Sequence, residues 1–145
     1  MKTKLTIELV PAQQWGDNLR SRVSRQRWDK LRRECYRKAG HRCEICGGRG
    51  RRWPVECHEV WDYDESNKIQ RLVGLIALCP ACHEVKHMGR SMSVGKGDKA
   101  KRHLMKINGW SASDVEYYIE AMFELWYRRN QEDWTLDLQW LNKML

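Results

Sequence analysis

The apolar positions of the chain change their period several times. Leu5, Ile7 and Leu9 alternate with polar residues over 3–10, which predicts a short strand ended by Pro11. Over 25–39 the period lengthens. Trp28, Leu31, Cys35 and Ala39 fall on one helical face, Tyr36 widens the stripe, and Gly40 is placed to end the helix. CEICGGRG (43–50) reads as a tight glycine turn between thiols and WPVECHEVW (53–61) as strand-like. DYDESNK (62–68) is a polar loop, and IQRLVGLIAL (69–78) is an apolar run leading into a second cysteine pair. Residues 82–88 are expected to be helical, and GRSMSVGKGDK (89–99) reads as a flexible linker. A further helix is expected over 99–108, with Ala100, Leu104 and Ile107 on one face and Gly109 at its end. Ser111-x-x-Asp114 has the form of a capping box. It opens a helix running to residue 130 with Val115, Ile119, Met122 and Trp126 inward. WTLDLQWL (134–141) alternates Leu136, Leu138 and Trp140 and reads as a final strand or turn.

These elements divide the chain into an N-terminal strand and basic arm (1–23), a segment that carries the chemistry (24–88), a linker (89–99) and a C-terminal helical extension (100–145). A length of 145 residues suits one domain with a modest core. The opening MKTKLTIELV has no long apolar run and no small-residue cleavage site. Nothing in the chain is apolar for long enough to cross a bilayer, so a cytoplasmic protein with no membrane partner is expected.

Charge changes the picture. The chain carries 27 Lys and Arg against 19 Asp and Glu, and the excess is uneven. Residues 20–52 hold thirteen basic side chains against three acids, whereas residues 111–145 hold three against seven. The first segment can attract a polyanion, with Arg25, Arg32, Arg33, Arg37, Lys38, Arg49, Arg51 and Arg52 as candidate nucleic-acid contacts. The tryptophan-rich C-terminal extension has no evident chemistry of its own. A protein partner bound through it is one reading, and core packing is the plainer one.

Cysteine spacing is the most specific signal. Cys43-x-x-Cys46 and Cys79-x-x-Cys82 each aim two sulfurs at one point, and two such knuckles complete a tetrahedral thiolate site for a structural Zn²⁺. In a reducing compartment paired C-x-x-C elements indicate metal rather than disulfides. Cys35 falls on an apolar helical face and reads as a small buried hydrophobe. Three of the five histidines lie within or just behind the clip. His83 and His87 are four residues apart on one expected helix and face the same way, and His58 comes from the enclosed strand region.

The stretches CEICGG, VECHEVW and LVGLIALCPACHEVKH, in that order over 40–88, resemble the HNH endonuclease family. The resemblance implies an α+β chain with a zinc-stapled ββα-metal centre and flanking helices. It also implies metal-dependent hydrolysis of DNA phosphodiester bonds. By that resemblance His58 matches the general base, and His83 and His87 match ligands of one catalytic divalent metal (Zn²⁺, Mg²⁺, Mn²⁺ or Ni²⁺). Cys57 stands where the family places a further ligand, often Asp or His. A thiolate there favours zinc-like ions; otherwise Glu56 or Glu59 can supply a hard oxygen. The family asparagine has no counterpart before the second knuckle, where Gly74 stands, and Asn67 in the preceding loop is the nearest substitute.

His83-Glu84-Val85-Lys86-His87 also fits H-E-x-x-H, the zinc helix of many metallopeptidases. The extended form fails, because Arg90 and Ser93 occupy the glycine and third-histidine positions. His103 lies beyond a glycine-rich stretch and Gly89 interrupts the helix. The alternative to a nuclease is therefore a non-catalytic, zinc-containing nucleic-acid-binding module with a degenerate HNH site.

Overall fold

A computed structural model describes residues 4–144, without the side chain of Met144. Among them the chain is α+β. A short helix α1 (Leu19–Arg22) precedes α2 (Arg25–Lys38), and a long loop leads to the hairpin β1 (Glu56–Asp64) and β2 (Ile69–Leu78). Four helices follow, α3 (Pro80–Lys86), α4 (Met88–Ser93), α5 (Gly97–Asn108) and α6 (Ala112–Arg129). The described chain ends with β3 (Thr135–Asp137) and a 3-10 turn over Gln139–Met144. The sheet has the order β1-β2-β3, with β1 and β2 antiparallel and β2 and β3 parallel.

Local chemistry fixes most boundaries. The Ser24 side chain accepts from the Arg27 backbone N–H and starts α2 one residue before Arg25. Cys79 does the same for α3, its sulfur accepting from the Cys82 N–H at 3.4 Å, with Pro80 at the first helical position. Ser111 and Asp114 exchange both capping-box hydrogen bonds at the start of α6. Gly109 ends α5 at φ 68°, a left-handed conformation that a side chain would strain.

The sheet lies between two helical layers. On one face, α2 packs Trp28 against Leu19 and Leu72, and Cys35 against Val55 and Ala77. On the other, the main core gathers Leu78, Val85, Met88, Leu104, Val115 and Ile119 from β2 and four helices. Cys43, Cys79 and Cys82 are buried within this core, so the thiol clip sits among apolar side chains.

Two expectations are corrected. Residues 4–10 are not a strand. Their alternation inserts Leu5 and Ile7 into the helical core, and side chains take their backbone N–H groups. Asn108 Oδ1 accepts from Leu5 at 2.9 Å and Tyr118 Oη accepts from Ile7 at 2.9 Å. The segment 89–99 is mostly helix rather than linker, carrying most of α4 and the start of α5. Burial of Met88 and Ser91 overrides its glycine- and serine-rich composition, and the Ser91 hydroxyl donates to the Glu84 carbonyl at 2.7 Å. The C-terminal helices are likewise continuous with the core that holds the clip, and β3 completes the sheet.

Candidate metal centres

The loop after α2 folds back on itself to present the first two thiols. The Cys43 N–H donates to the Gly48 carbonyl and the Gly47 N–H to the Cys43 carbonyl, both at 2.9 Å. Glu44 docks the knuckle on β2: its N–H donates to the Ala77 carbonyl, and its carboxylate accepts from the Ala77 N–H at 2.7 Å. That places Cys43 and Cys46 opposite Cys79 and Cys82 at the start of α3. One sulfur from each of the four lies within 4.8 Å of every other, and those of Cys46 and Cys79 are 3.6 Å apart. With Zn–S near 2.3 Å, the edge of a tetrahedral site is about 3.8 Å. The four cysteines are positioned to hold a zinc-like ion.

Their protonation argues the same way. The Cys82 side chain beside it pulls the Cys43 thiol down to about 4, whereas burial pushes Cys79 up to about 11. Cys43 and burial together hold Cys82 high as well. Without a cation, four adjacent sulfurs cannot all carry charge; a divalent ion removes that conflict. His103 sits behind this site, its Nε2 3.2 Å from the Cys82 sulfur.

The second centre is built from β1 and α3. Period-two alternation puts Glu56 and His58 on the face of β1 that meets α3, while His83 and His87 (the C-cap of α3) project toward it one turn apart. One ring nitrogen of each histidine lies within 4.8 Å of the others, with ring centroids 4.7–5.2 Å apart. The Nε2 atoms of His83 and His87 are 3.1 Å apart. For imidazole nitrogens at about 2.0–2.1 Å from zinc, a tetrahedral edge is about 3.3 Å. The His83–His87 pair suits one ion, and the three donors lie close enough together to meet one.

Carboxylates stand behind two of the rings. Glu56 Oε1 is 3.0 Å from His83 Nδ1, which leaves the His83 Nε2 lone pair free for a ligand. Glu8 binds His58 Nε2 and also pairs with Lys86 at 3.3 Å, and Lys86 in turn donates to the Thr6 hydroxyl at 2.7 Å. Burial works to raise the Glu8 pKa, but His58 and Lys86 together outweigh it and hold the carboxylate below its usual range. Burial lowers His83, against the opposing pull of Glu56. Burial first, then the two neighbouring imidazoles, push His87 down to about 4. These two rings are therefore neutral near pH 7, the form that binds metal.

Glu8 is the member of this constellation that sequence reasoning missed. Its contact to His58 spans fifty residues, and its own stretch carries no motif. Cys57 does not join the histidines. Alternation along β1 turns its thiol toward α2, where the Cys35 side chain and burial keep it protonated, far above its ordinary range. Glu59 is turned away as well and accepts from the Leu19 N–H at 2.9 Å. Asn67 bonds Asp64 in the hairpin turn. That turn is six strand positions from His58, roughly 20 Å away. Gly74 pairs with Val60 beside a β-bulge, and a Cβ there would meet open space. His103, the histidine downstream of the H-E-x-x-H stretch, lies against Cys82 of the thiol clip; the third histidine here, His58, comes from β1 instead.

The three rings line a cavity of about 240 Å³ that also includes Glu8, Arg20 and Gln70. His83 and Glu56 continue into a cleft of about 730 Å³ walled by Arg20, Arg25, Arg32 and Trp53. Arg32 is paired with Asp29 at 2.9 Å, and Arg20 lies over the Trp28 ring at 5.7 Å. Of the expected cationic contacts, Arg25 and Arg32 therefore border the candidate site. Arg33, Arg37 and Lys38 lie elsewhere on α2, with Arg37 paired to Glu34. Arg49, Arg51 and Arg52 are exposed on the loop before β1. No described helix is long and apolar enough to cross a membrane. Comparison with protein-family models, with curated proteins and with solved structures finds no match.

Proposed function

We propose that the protein is a metal-dependent endonuclease that hydrolyses DNA phosphodiester bonds at an HNH-like ββα-metal centre formed by β1, β2 and α3. The observation that carries this reading is the meeting of His58, His83 and His87 in one cavity, with His83 also lining a cleft walled by three arginines. A thiolate Zn²⁺ held by Cys43, Cys46, Cys79 and Cys82 ties the hairpin and α3 to the knuckle loop and has a structural part.

His83 and His87 would hold the second ion, and their nitrogen donors favour Zn²⁺ or Ni²⁺ over Mg²⁺ or Mn²⁺. When bound, a divalent ion at this place supplies positive charge for the phosphoryl and leaving oxygens. His58 accepts a proton from the attacking water. Glu8, bonded to His58 Nε2, fixes the ring and offsets the charge it gains, the part that the family resemblance gives to an asparagine. Glu56 orients His83 in the same manner. Arg20, Arg25 and Arg32 bind backbone phosphates, so affinity falls with salt and carries little sequence information.

The test is incubation of plasmid DNA with the protein and Mg²⁺, Mn²⁺, Ni²⁺ or Zn²⁺, beside His58→Ala. Cutting by the wild type that disappears in the variant, with DNA affinity retained, is the expected result. Gly74 in the asparagine position favours a second reading, a nucleic-acid-binding module with no cleavage. Salt-sensitive binding without cutting under any of the four metals decides for that module.

A further inference from the structure

The loop between the thiol clip and β1 holds one large aromatic side chain out of the core. Trp53 is 49 % exposed and forms part of the wall of the arginine cleft. Its position is fixed from both sides. The Gly50 N–H donates to the Pro54 carbonyl at 2.9 Å, and Gly50 approaches so closely that a Cβ would collide with the Trp53 carbonyl oxygen and lie 2.7 Å from Pro80. The indole N–H of Trp53 donates to Glu56 Oε2 at 3.1 Å, and the other oxygen of the same carboxylate meets His83 Nδ1 at 3.0 Å. An exposed ring is thus tied through one carboxylate to a candidate metal ligand.

We propose that Trp53 is a base-stacking platform and that the nucleic acid is unpaired where it meets this site. The inference rests on the nuclease reading and specifies its substrate as single-stranded nucleic acid, or a locally melted stretch. A cationic groove beside an exposed aromatic face is the arrangement that binds single strands, because every base has a face to stack and the arginines follow the backbone. Arg20, Arg25 and Arg32 supply the second half of that arrangement. Bases stacked within a duplex offer the indole no free face. Anchoring by Glu56 sets the stacked base beside the phosphate that the histidine trio would meet, which fixes the register of the strand.

The test is fluorescence anisotropy with labelled oligonucleotides of one sequence, as single-stranded DNA, single-stranded RNA and duplex DNA. Zinc is limited to the amount that fills the thiol clip, and no other divalent ion is present. Trp53→Ala is expected to weaken single-strand binding about tenfold. Trp53→Phe keeps a ring face but loses the indole N–H, and should stay within about threefold of wild type. Duplex binding should be the same in all three proteins. The slope of log affinity against log salt should not change, because no phosphate contact is removed. Trp53-dependent binding of either the deoxy or the ribo strand supports the platform, and the stronger of the two identifies the sugar. Equal losses on single strands and duplex, no loss at all, or Phe as damaging as Ala would overturn it. No step requires cutting, so a failed plasmid assay and a failed Trp53 assay stay distinct results.

Discussion

Glu8→Gln tests the constellation through the residue no local pattern announces. The Glu8 side chain is 24 % exposed and that of Lys86 only 8 %, and the carboxylate is shared between Lys86 and His58. An amide of the same shape leaves the Lys86 ammonium in a poorly hydrated place with the Thr6 hydroxyl as its remaining strong partner. Breaking a buried pair in this way costs about 3–5 kcal/mol, and the partial exposure of Glu8 reduces that to about 2–3 kcal/mol. For a chain of this length the loss corresponds to a fall in Tm of about 6–10 °C. The same change leaves one acceptor oxygen for both His58 and Lys86 and removes the charge behind the ring, which should lower cutting about 10- to 100-fold at saturating metal. Urea unfolding of the zinc-loaded protein at pH 7 reads the first effect, and plasmid cleavage reads the second. Lys86→Met in the Glu8→Gln background should recover about 2 kcal/mol, since the orphaned charge is then gone. A variant that unfolds within about 0.5 kcal/mol of wild type and cuts normally would refute the assignment of Glu8. So would strictly additive effects of the two substitutions.

Two other perturbations have clear directions. Cys43→Ser puts a poor ligand at a thiolate position inside the main core; because structural zinc contributes folding energy directly, cooperative unfolding should be lost, and a chelator should reproduce the effect on wild type. A normal melting transition in the variant would count against a structural ion. Gln70→Leu should stabilise by about 1–2 kcal/mol, because Gln70 is 1 % exposed and neither polar atom of its amide has a hydrogen-bond partner. A lower urea midpoint would show that the amide is bonded in solution.

What was legible in the chain was what local spacing encodes. The helix expected over 25–39 is α2, because its apolar stripe and its serine cap agree. C-x-x-C dictates a knuckle, and histidines four apart dictate a shared helix face, so the thiol clip and the His83–His87 pair were readable without a fold. His58 needed one more step, the docking of the enclosed strand on that helix. What was illegible depends on contacts far apart in sequence. Leu5 and Ile7 alternate with Glu8 as a strand would, yet Leu5 and Ile7 enter the helical core, the Glu8 N–H donates to the Lys86 carbonyl of α3, and the Glu8 side chain crosses to His58 on β1. Glycine and serine at 89–99 signal a break, but burial of Met88 and Ser91 holds the segment as helix. Cys57 lies next to His58 in the chain, and the pleat alone sends it to the opposite face.

The most direct test of two separate centres is the metal count per folded chain, read by native mass spectrometry after reconstitution with excess Zn²⁺. Two ions in the wild type, falling to one when His83 and His87 are both replaced by alanine, is the result this account predicts. A single ion in the wild type, retained when those two histidines are removed, would contradict it.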